Sequence, residues 1–304
     1  IQDVTGGTTG IGQWGGLVIL GNAPVNLCDA DGDDATSDEE LASCGVSAEG
    51  NAGLYGGADS QDDSGSLKYV VVKHAGNEVG TGDELNGITF AGVGSSTFVD
   101  YIQVHENLDD GVEFFGGSVN VRHVVLTGNG DDSLDWAFGW DGRAQHVVIK
   151  HNESMANRGF ESDNSEDRPA ATPVSNPMVS NVTVVGSNFD GDDDSEGVLL
   201  RHGTEARLHN FVITGPEGMG ECLEVDSFPT TQENTTDDSL IITHSAVACD
   251  NGENFKGDAG SQTVEAWFLG QTGNMAFDTS GPLLLAANNY QPEVGSPLLG
   301  AGID

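Results

Sequence analysis

Basic residues are scarce in this sequence: 10 Lys and Arg stand against 49 Asp and Glu, a formal net charge of −39 over 304 residues. Such a charge repels nucleic acid and anionic lipid, and it attracts cations. We therefore expect divalent cations, and not nucleic acid, among the partners. Intrinsic disorder is excluded, because 37% of the residues are hydrophobic and short apolar runs such as YVVVKH (69–74) recur. An ordered protein this acidic must spread its carboxylates over a large surface, screen them with salt or bind metal, so we expect a saline or calcium-rich habitat.

Long hydrophobic runs are also missing. No stretch approaches 18 apolar residues, so the sequence predicts no transmembrane segment. The chain opens at Ile1 without Met, and we interpret it as a mature or trimmed form.

Cysteines are few, and no CxxC motif occurs among them, which disfavours a zinc or redox site. Their positions are Cys28, Cys44, Cys222 and Cys249. Two disulfides formed in an oxidising compartment are favoured, and three pairings are possible. The cost of loop closure favours the local pairs Cys28–Cys44 and Cys222–Cys249. We therefore expect a secreted protein.

A repeat organises the middle of the chain. VDYIQVHEN (99–107), VRHVVLTGN (121–129) and AQHVVIKHN (144–152) align without gaps, and SNVTVVGSN (180–188) and LHNFVITGP (208–216) continue the series. Each unit predicts a strand and a turn, and the alignment stacks the rings of Tyr101, His123 and His146. About 22 residues per unit, without helical periodicity, predict an all-β fold, a right-handed parallel β-helix.

The repeat predicts one domain over 1–304. Within it we expect an acidic, disulfide-closed loop region at 26–66, the coils at 67–261, and a C-terminal capping segment at 262–304. A solenoid needs such a cap to cover its last edge.

A second family of short strands precedes these units. Its inward-facing residues are expected to be Ile88, Val112, Leu134, Phe160, Val198 and Leu223. The residue after each would point outward, which places Glu113, Asp135 and Glu161 in one column at the ~4.8 Å spacing of neighbouring strands. Like charges that close raise one another's pKa or recruit a cation.

This column is the best candidate ligand-binding face in the sequence. Phe115 and Trp140 are expected nearby as sugar-stacking platforms. The predicted ligand-binding residues are Glu113, Asp135, Glu161, Asp163, Arg201, Glu224 and Asp226.

The same face also fits a catalytic alternative. Two carboxylates ~5 Å apart suit a retaining glycosidase, and a β-helix lyase would need calcium and an Arg or Lys base. The catalytic set under this alternative is Glu161, Asp163 and Arg201.

Two acidic loops are predicted metal sites. CDADGDDATSDEELASC (28–44) places Asp29, Asp31, Asp33 and Glu40 at EF-hand ligand spacing. Asp34 stands where an EF-hand needs Gly and no flanking helix is evident, so we predict a looser Ca²⁺ loop, with a solvated acidic loop as the alternative. The second loop, NFDGDDDSEG (188–197), offers Asp190, Asp192 and Asp194.

Several motifs resemble those of a family of secreted or lipid-anchored bacterial β-helix proteins found in Bacteroidota and marine Gammaproteobacteria. They include GQWGGLVILGNAPVN (12–26), DDGVEFFGG (109–117), NGDDSLDW (129–136) and GSPLLGAG (295–302). The resemblance implies the β-helix fold and a surface location, and it carries over no functional residue.

The sequence therefore predicts a secreted or cell-surface acidic β-helix, stabilised by Ca²⁺, that acts as a non-catalytic binding or structural module. Its expected ligands are glycans or divalent cations, and its expected partners are an extracellular polysaccharide or an outer-membrane protein. The alternatives are a polysaccharide lyase or glycoside hydrolase, and a self-associating filament or surface-layer subunit.

Overall fold

The structure, a computed structural model, describes residues 10–80, 84–189, 195–226, 228–250, 254–287 and 289–303. Its strands are β1 (Leu17–Leu20), β2 (Val46–Ser47), β3 (Leu54–Tyr55), β4 (Ser66–Lys73), β5 (Ile88–Ala91), β6 (Phe98–His105), β7 (Val112–Phe115), β8 (Asn120–Thr127), β9 (Leu134–Ala137), β10 (Arg143–Lys150), β11 (Arg158–Ser162), β12 (Met178–Val185), β13 (Glu196–Leu200), β14 (Ala206–Gly215), β15 (Leu223–Val225), β16 (Leu240–Thr243), β17 (Ala246–Cys249), β18 (Phe255–Ala259), β19 (Gln262–Thr263) and β20 (Met275–Ala276). Its α-helices are α1 (Asp38–Ser43), α2 (Pro229–Asn234) and α3 (Val264–Gly270), and its 3-10 helices are Asn26–Cys28, Glu49–Asn51 and Gly281–Leu283.

Two long parallel sheets form the body of the molecule. The first sheet has the order β1-β5-β7-β9-β11-β13-β15-β18, with β19 antiparallel on β18. The second sheet has the order β4-β6-β8-β10-β12-β14-β17-β20, and β16 also pairs with β14. Because successive strands alternate between the two sheets, the chain winds coil upon coil. The predicted fold class, a parallel β-helix, is confirmed.

The register of the first sheet is the one that the sequence predicts. Ile88 pairs with Val112, Val112 with Leu134, and Leu134 with Phe160. The series continues through Val198 to Leu223. Each of these six residues is buried between the sheets. Burying an apolar side chain of this size contributes about 1.5–3 kcal/mol, so this stack fixes the register.

The register of the second sheet differs from the predicted alignment at its fourth unit. Ala144 pairs with Val179 instead of Ser180, so SNVTVVGSN was aligned one residue out. The predicted alignment would have turned Thr183 inward. The observed one buries Val182 and Val184, and apolar burial decides between the two.

A row of residues with left-handed backbone crosses the second sheet. It includes Tyr69, Tyr101, His123, His146, Asn181, Asn210 and His244, with φ between 53° and 61°. The ring centroids of Tyr69 and Tyr101 are 5.0 Å apart, those of Tyr101 and His123 4.3 Å, and those of His123 and His146 5.1 Å. The predicted stacking of Tyr101, His123 and His146 is confirmed, and Tyr69 extends it by one coil.

Two disulfides join the local cysteine pairs, Cys28–Cys44 and Cys222–Cys249. Toward the C-terminus, α3 buries Val264, Trp267 and Phe268 against the core. Among the residues that the structure describes, no helix has the length and apolar character needed to cross a membrane.

Candidate functional site

The outer face of the first sheet carries the predicted carboxylate column. Glu113 on β7 pairs with Asp135 on β9, and Asp135 pairs with Glu161 on β11. Two further rows of acids stand just before these strands. A cavity of about 300 Å³, which we call the carboxylate pocket, is lined by Glu49, Glu84, Asn86, Asp109, Asp110, Glu113, Asp131, Asp132, Asp135, Asn157, Arg158, Glu161 and Arg201.

The turns before β7 and β9 bring the acids of adjacent coils together. A side chain on Gly111 would collide with the Asn129 side chain and the Ser133 carbonyl, so only glycine allows the coils to stack this closely. The Gly111 amide donates to the Asp132 carbonyl at 2.9 Å. As a result, Asp110 lies directly beside Asp132, and its Oδ1 accepts from the Asp132 amide at 2.9 Å.

Two groups of carboxylates in the pocket have the spacing of a metal site. Asp109, Asp110 and Asp131 each offer an oxygen within 4.8 Å of the others. Asp110, Glu113 and Asp135 form a second such group. Asp110 belongs to both groups, so the pocket has the donors for two neighbouring cations with a shared ligand.

Proton affinity in the pocket is unusually high. The pKa of Asp109 rises to about 7, because burial disfavours its charged form and the carboxylates of Asp131 and Glu84 repel it. Four deeper carboxyl groups have a pKa well above the usual range: Asp110, Glu113, Asp132 and Asp135. The larger cause is burial, and the second is repulsion by neighbouring carboxylates. Without a bound cation, these acids retain protons that a surface carboxyl would lose.

Among the described residues, the hydrogen bonds of the pocket leave two buried side-chain oxygens without a donor, Asp135 Oδ1 and Asn157 Oδ1. The Asn86 amide donates to Glu113, and the Arg158 backbone amide donates to Asp132 at 2.7 Å. Asp135 Oδ1 is buried and accepts no hydrogen bond among the described residues. A buried carboxylate oxygen without a donor is costly and is the kind of atom that a cation would satisfy.

Two arginines close one end of the pocket. Arg158 contacts Glu161 at 2.9 Å and Glu196 at 3.2 Å. Arg201 pairs with Glu161 and, at 2.8 Å, with Asp163. Burial works against the charge on Arg201, but these carboxylates raise the pKa of its guanidinium above the ordinary value. The predicted catalytic trio Glu161, Asp163 and Arg201 is therefore assembled, with its arginine held in the protonated form.

Glu224 and Asp226 lie in the predicted register but outside the carboxylate pocket. Lys256 on β18 places its ammonium 3.1 Å from Glu224 and 3.7 Å from Glu221. Asp226 accepts the His202 backbone amide at 2.8 Å. Lys256 therefore already neutralises Glu224 at the end of the column, and Asp226 serves as a backbone hydrogen-bond acceptor.

The two expected sugar platforms are wrong. Trp140 is fully buried, stacked on Phe114 with ring centroids 4.0 Å apart, and donates to the Val119 carbonyl. Phe115 is also buried and packs against Tyr55 and Phe138. Both rings stabilise the core instead of facing a ligand.

The acidic loop at 28–44 brings part of its predicted ligand set together. Asp29, Asp31 and Glu40 each offer an oxygen within 4.8 Å of the others. Asp29 also accepts the Gly32 and Asp34 amides and pairs with Arg168. Although burial raises the pKa of Asp29, these donors lower it below its usual value.

Glu40 accepts the backbone amides of Ala30 and Ser37, each at 2.8 Å. It is the third residue of α1 and forms a capping box with Ser37. The expectation that no helix flanks this loop is therefore wrong, and the S-x-x-E pattern of SDEE (37–40) is the signal that predicts it. Asp33 lies outside the group and accepts the Ala35 amide at 2.9 Å. Asp190, Asp192 and Asp194 lie outside the described residues.

Sequence reasoning did not place Glu49 and Glu84 in the pocket, and it also left out four acids of two stacked turns: Asp109, Asp110, Asp131 and Asp132. Their signal is a repeated pattern, because NLDDGVE (107–113) and NGDDSLD (129–135) carry acids at the same three positions. These positions stack in adjacent coils, so a repeat of carboxylates along the sequence becomes a cluster in space.

Comparisons with known proteins agree with this architecture. The family model described as a pectate-lyase-like β-helix domain matches residues 4–281. A ferredoxin–NADP reductase 2 from Christiangramia forsetii is 31% identical over 106 residues, which cover 34% of this chain and 29% of that protein. The chain thus spans under a third of that relative. No solved structure gave a significant match.

Proposed function

The chain belongs to the family of pectate-lyase-like β-helix domains, and from this premise we propose that it is an extracellular, non-catalytic binding protein. Its carboxylate pocket binds Ca²⁺ and, with the bound metal, a carboxylated glycan. The observation that carries the proposal is the pair of acidic groups sharing Asp110.

The donor set of the pocket fits Ca²⁺. Ca²⁺ takes six to eight oxygen ligands in flexible geometry, and carboxylates are its usual protein ligands. Asp109, Asp110 and Asp131 would hold one ion, and Asp110, Glu113 and Asp135 a second. The raised pKa values and the unpartnered Asp135 Oδ1 support the same reading.

A carboxylated glycan suits the loaded pocket for two reasons. Bound Ca²⁺ would supply positive charge and open coordination positions to sugar carboxylates. Without it, nine carboxylates and two arginines line the cavity, and an acidic sugar would be repelled. Binding of the glycan should therefore depend on the metal.

Three further properties belong to the proposal. Two disulfides suit a secreted or outer-surface protein. The loop at 28–44 is proposed as a separate Ca²⁺ site built on Asp29, Asp31 and Glu40. An extracellular polysaccharide is proposed as the main partner.

Catalysis is the second candidate, favoured by the gathering of Glu161, Asp163 and Arg201 at one end of the pocket. A lyase needs a base in its unprotonated form, which can accept a proton from the substrate. Two carboxylates instead hold Arg201 in its charged form. We therefore expect the Ca²⁺-loaded protein to form no unsaturated product from polygalacturonate. Ultraviolet absorbance, which such a product would raise, measures this.

Calorimetric titration with CaCl₂ tests the proposal. We expect Asp110→Asn to bind fewer Ca²⁺ ions per chain than the wild-type protein. Any Ca²⁺ that the variant still binds in the pocket should bind at least tenfold more weakly. The Asn side chain can still accept the Asp132 amide, so the turn keeps its hydrogen bond. Asp278→Asn removes the same charge from an exposed carboxylate and should leave the titration unchanged.

The glycan half of the proposal has its own readout. Polygalacturonate should bind the wild-type protein in CaCl₂ and not in EGTA, and Asp110→Asn should bind it at least tenfold more weakly. Equal Ca²⁺ binding by wild type and Asp110→Asn would contradict the pocket as the metal site. Glycan binding that persists in EGTA would contradict its dependence on the metal.

A further inference from the structure

Two histidines and a glutamate meet where β4 and β6 end. His74 follows β4 directly, His105 is the last residue of β6, and Glu106 follows it. Lys73 pairs with His105 across the two strands, so the next position in each coil brings His74 beside Glu106. The His74 backbone amide donates to the His105 carbonyl at 3.2 Å. We call these three residues, His74, His105 and Glu106, the histidine cluster.

One carboxylate oxygen of the cluster approaches both rings. Glu106 Oε2 lies 3.4 Å from His74 Nδ1 and 3.9 Å from His105 Nε2. Zn²⁺ binds imidazole nitrogens and carboxylate oxygens at about 2.0–2.2 Å, so the ligand atoms of a tetrahedral Zn²⁺ lie about 3.3–3.6 Å apart. The ring centroids of His74 and His105 are 6.3 Å apart, and a small rotation of the partly exposed His105 and Glu106 side chains would close the cluster around an ion.

A buried nitrogen of His74 points to a bound cation. The His74 side chain is 9% exposed, and its Nδ1 forms no hydrogen bond with any described residue. A buried polar atom without a partner costs free energy. An unprotonated imidazole nitrogen and a carboxylate oxygen both offer lone pairs, so the contact of His74 Nδ1 with Glu106 needs either a proton on the ring or a metal ion shared by the two atoms.

His105 is held in the orientation of a metal ligand. Its Nδ1 lies 2.7 Å from Thr127 Oγ1, so a hydrogen bond occupies one ring nitrogen and leaves Nε2 toward Glu106. In metal-binding histidines a hydrogen bond to the other nitrogen fixes the ring and its tautomer in this way. His209 makes the same contact, with Thr243 at 2.8 Å, but it has no ion pair with a carboxylate among the described residues. The neighbouring carboxylate therefore distinguishes His105 from a histidine that only packs.

An ion can reach the cluster from solvent. A cavity of about 370 Å³ lies beside it, and its lining includes His105, Glu106, Thr127 and Lys150. Lys150 Nζ lies 6.0 Å from the Tyr290 ring centroid. The net charge of −39 raises the concentration of cations near the protein surface. An ion bound by three protein ligands would keep a coordination position open toward this cavity.

We propose that the histidine cluster is a Zn²⁺ site, with His74 Nδ1, His105 Nε2 and Glu106 Oε2 as its protein ligands. Imidazole nitrogen suits Zn²⁺, whereas Ca²⁺ takes oxygen ligands. None of the three residues lines the carboxylate pocket, so the inference stands without the proposed function. The sequence gives no metal-binding spacing here, because the two histidines come from different coils.

Calorimetric titration with ZnCl₂ in a large excess of CaCl₂ tests the proposal, because Ca²⁺ competes for carboxylate sites and not for imidazole. We expect the wild-type protein to bind one Zn²⁺ per chain, and His105→Gln and Glu106→Gln to bind it at least tenfold more weakly. Both side chains are about a third exposed, so both variants should keep the wild-type melting temperature in the absence of zinc. His209→Gln removes an imidazole that makes the same threonine contact, and it should change the affinity less than twofold.

Co²⁺ in place of Zn²⁺ reports on the ligands themselves. Its visible absorption intensifies when imidazole replaces oxygen ligands and the coordination number falls below six, so the wild-type protein should show a band that His105→Gln lacks.

Three outcomes would overturn the inference. The first is no Zn²⁺ binding in excess CaCl₂, which would leave His74 and Glu106 as an ordinary ion pair. The second is an equal loss of affinity in His209→Gln, which would show that the cluster is not the site. The third is a Co²⁺ spectrum that His105→Gln leaves unchanged, which would place the metal on carboxylates alone.

Discussion

Buried carboxyl groups define the chemistry of the carboxylate pocket. Glu113 is 8% exposed and Asp110 is 6% exposed. Each faces other acids, and in the part of the chain that the structure describes neither forms an ion pair with an arginine. Ionising such groups in the folded state costs free energy that the unfolded chain does not incur. A cation would remove this cost, so Ca²⁺ binding and protonation compete for the same oxygens.

Substituting Glu113 by Gln should separate these two effects. The pKa of Glu113 is raised in the folded state, so its contribution to stability is fully present below the unfolded pKa and is lost as pH rises through the folded pKa. At pH 8 in EGTA, Glu113→Gln should therefore be more stable than wild type, by at least about 1–3 kcal/mol, because ionising a carboxyl buried among other acids costs no less than leaving a buried polar group unsatisfied. Urea denaturation at pH 5 and pH 8 measures the difference, which should shrink at pH 5.

Glu217→Gln is the matched control for this measurement, because Glu217 is exposed on a turn. It should follow wild type at both pH values. In CaCl₂ the order should reverse, since the glutamine variant loses a charged ligand. A Glu113→Gln protein that is less stable than wild type at pH 8 in EGTA would refute the account.

The pocket also predicts proton release on metal binding. Burial and neighbouring acids raise the pKa of Asp109 from 3.8 to about 7, so in EGTA this group should cost the wild-type protein stability as pH rises from about 4 to about 7. Ca²⁺ should bind more tightly at pH 8 than at pH 5, with protons released at pH 6 to 7. Calorimetry in buffers of different ionisation enthalpy counts those protons. An affinity independent of pH would contradict the assignment of these carboxyls as ligands.

Single residues show where sequence reasoning succeeds and where it stops. The column of Glu113, Asp135 and Glu161 follows from strand alternation, because one buried apolar residue fixes the direction of the next. The burial of Trp140 does not follow, because it lies beyond the end of β9, where alternation gives no direction. The role of Asp110 depends on how closely two turns approach, which only the three-dimensional stack determines.

Among the strands, the row of residues with left-handed backbone in the second sheet is the most regular feature of the fold. Seven residues with φ between 53° and 61° occupy it, among them Tyr101 and His123. Left-handed backbone is tolerated by Asn and is unfavourable for β-branched residues. The row limits which residue types can occupy these positions, and it positions the stacked rings of Tyr69, Tyr101, His123 and His146.

Two substitutions of Tyr101 should therefore differ sharply. Tyr101→Val should lower the free energy of unfolding by about 1–3 kcal/mol, the range for a strained backbone conformation. Tyr101→Asn should cost less, because it fits the left-handed region and loses only ring stacking. Chemical denaturation of both variants measures the gap. Equal destabilisation would show that ring packing, and not backbone conformation, sets the requirement.

Alignment of elements was predictable only where the units follow one another closely. The steps of 22 and 23 residues align correctly, since few registers bury all the apolar positions. Residues 151–177 between β10 and β12 form a longer connection, so the spacing no longer fixes the register. An alignment that is wrong by one residue then still pairs two valines with apolar residues. Burial of Val182 and Val184 resolves what the spacing leaves ambiguous.

Across the whole molecule, which has a net charge of −39, the acidic and basic residues are distributed differently on the two sheets. The first sheet concentrates carboxylates in a pocket, and the strands of the second carry six of the ten cations. Salt screens charges separated by more than about 10 Å at 0.1 M ionic strength, but it screens buried neighbours far less. Salt and Ca²⁺ should therefore stabilise the protein through different groups.

Thermal unfolding in 1 M NaCl distinguishes these contributions. With surface repulsion already screened, a free Ca²⁺ concentration 100 times the dissociation constant should add about 2.7 kcal/mol per site. For a chain of this size, that predicts a rise in melting temperature of roughly 5 °C or more, reversed by EGTA. Mg²⁺ should do less, because it dehydrates reluctantly and prefers octahedral geometry. Asp110→Asn should lose most of the Ca²⁺ effect and keep the NaCl effect. If Ca²⁺ adds nothing beyond its ionic strength, the acids serve only as a salt-adapted surface, and the carboxylate pocket is not a metal site.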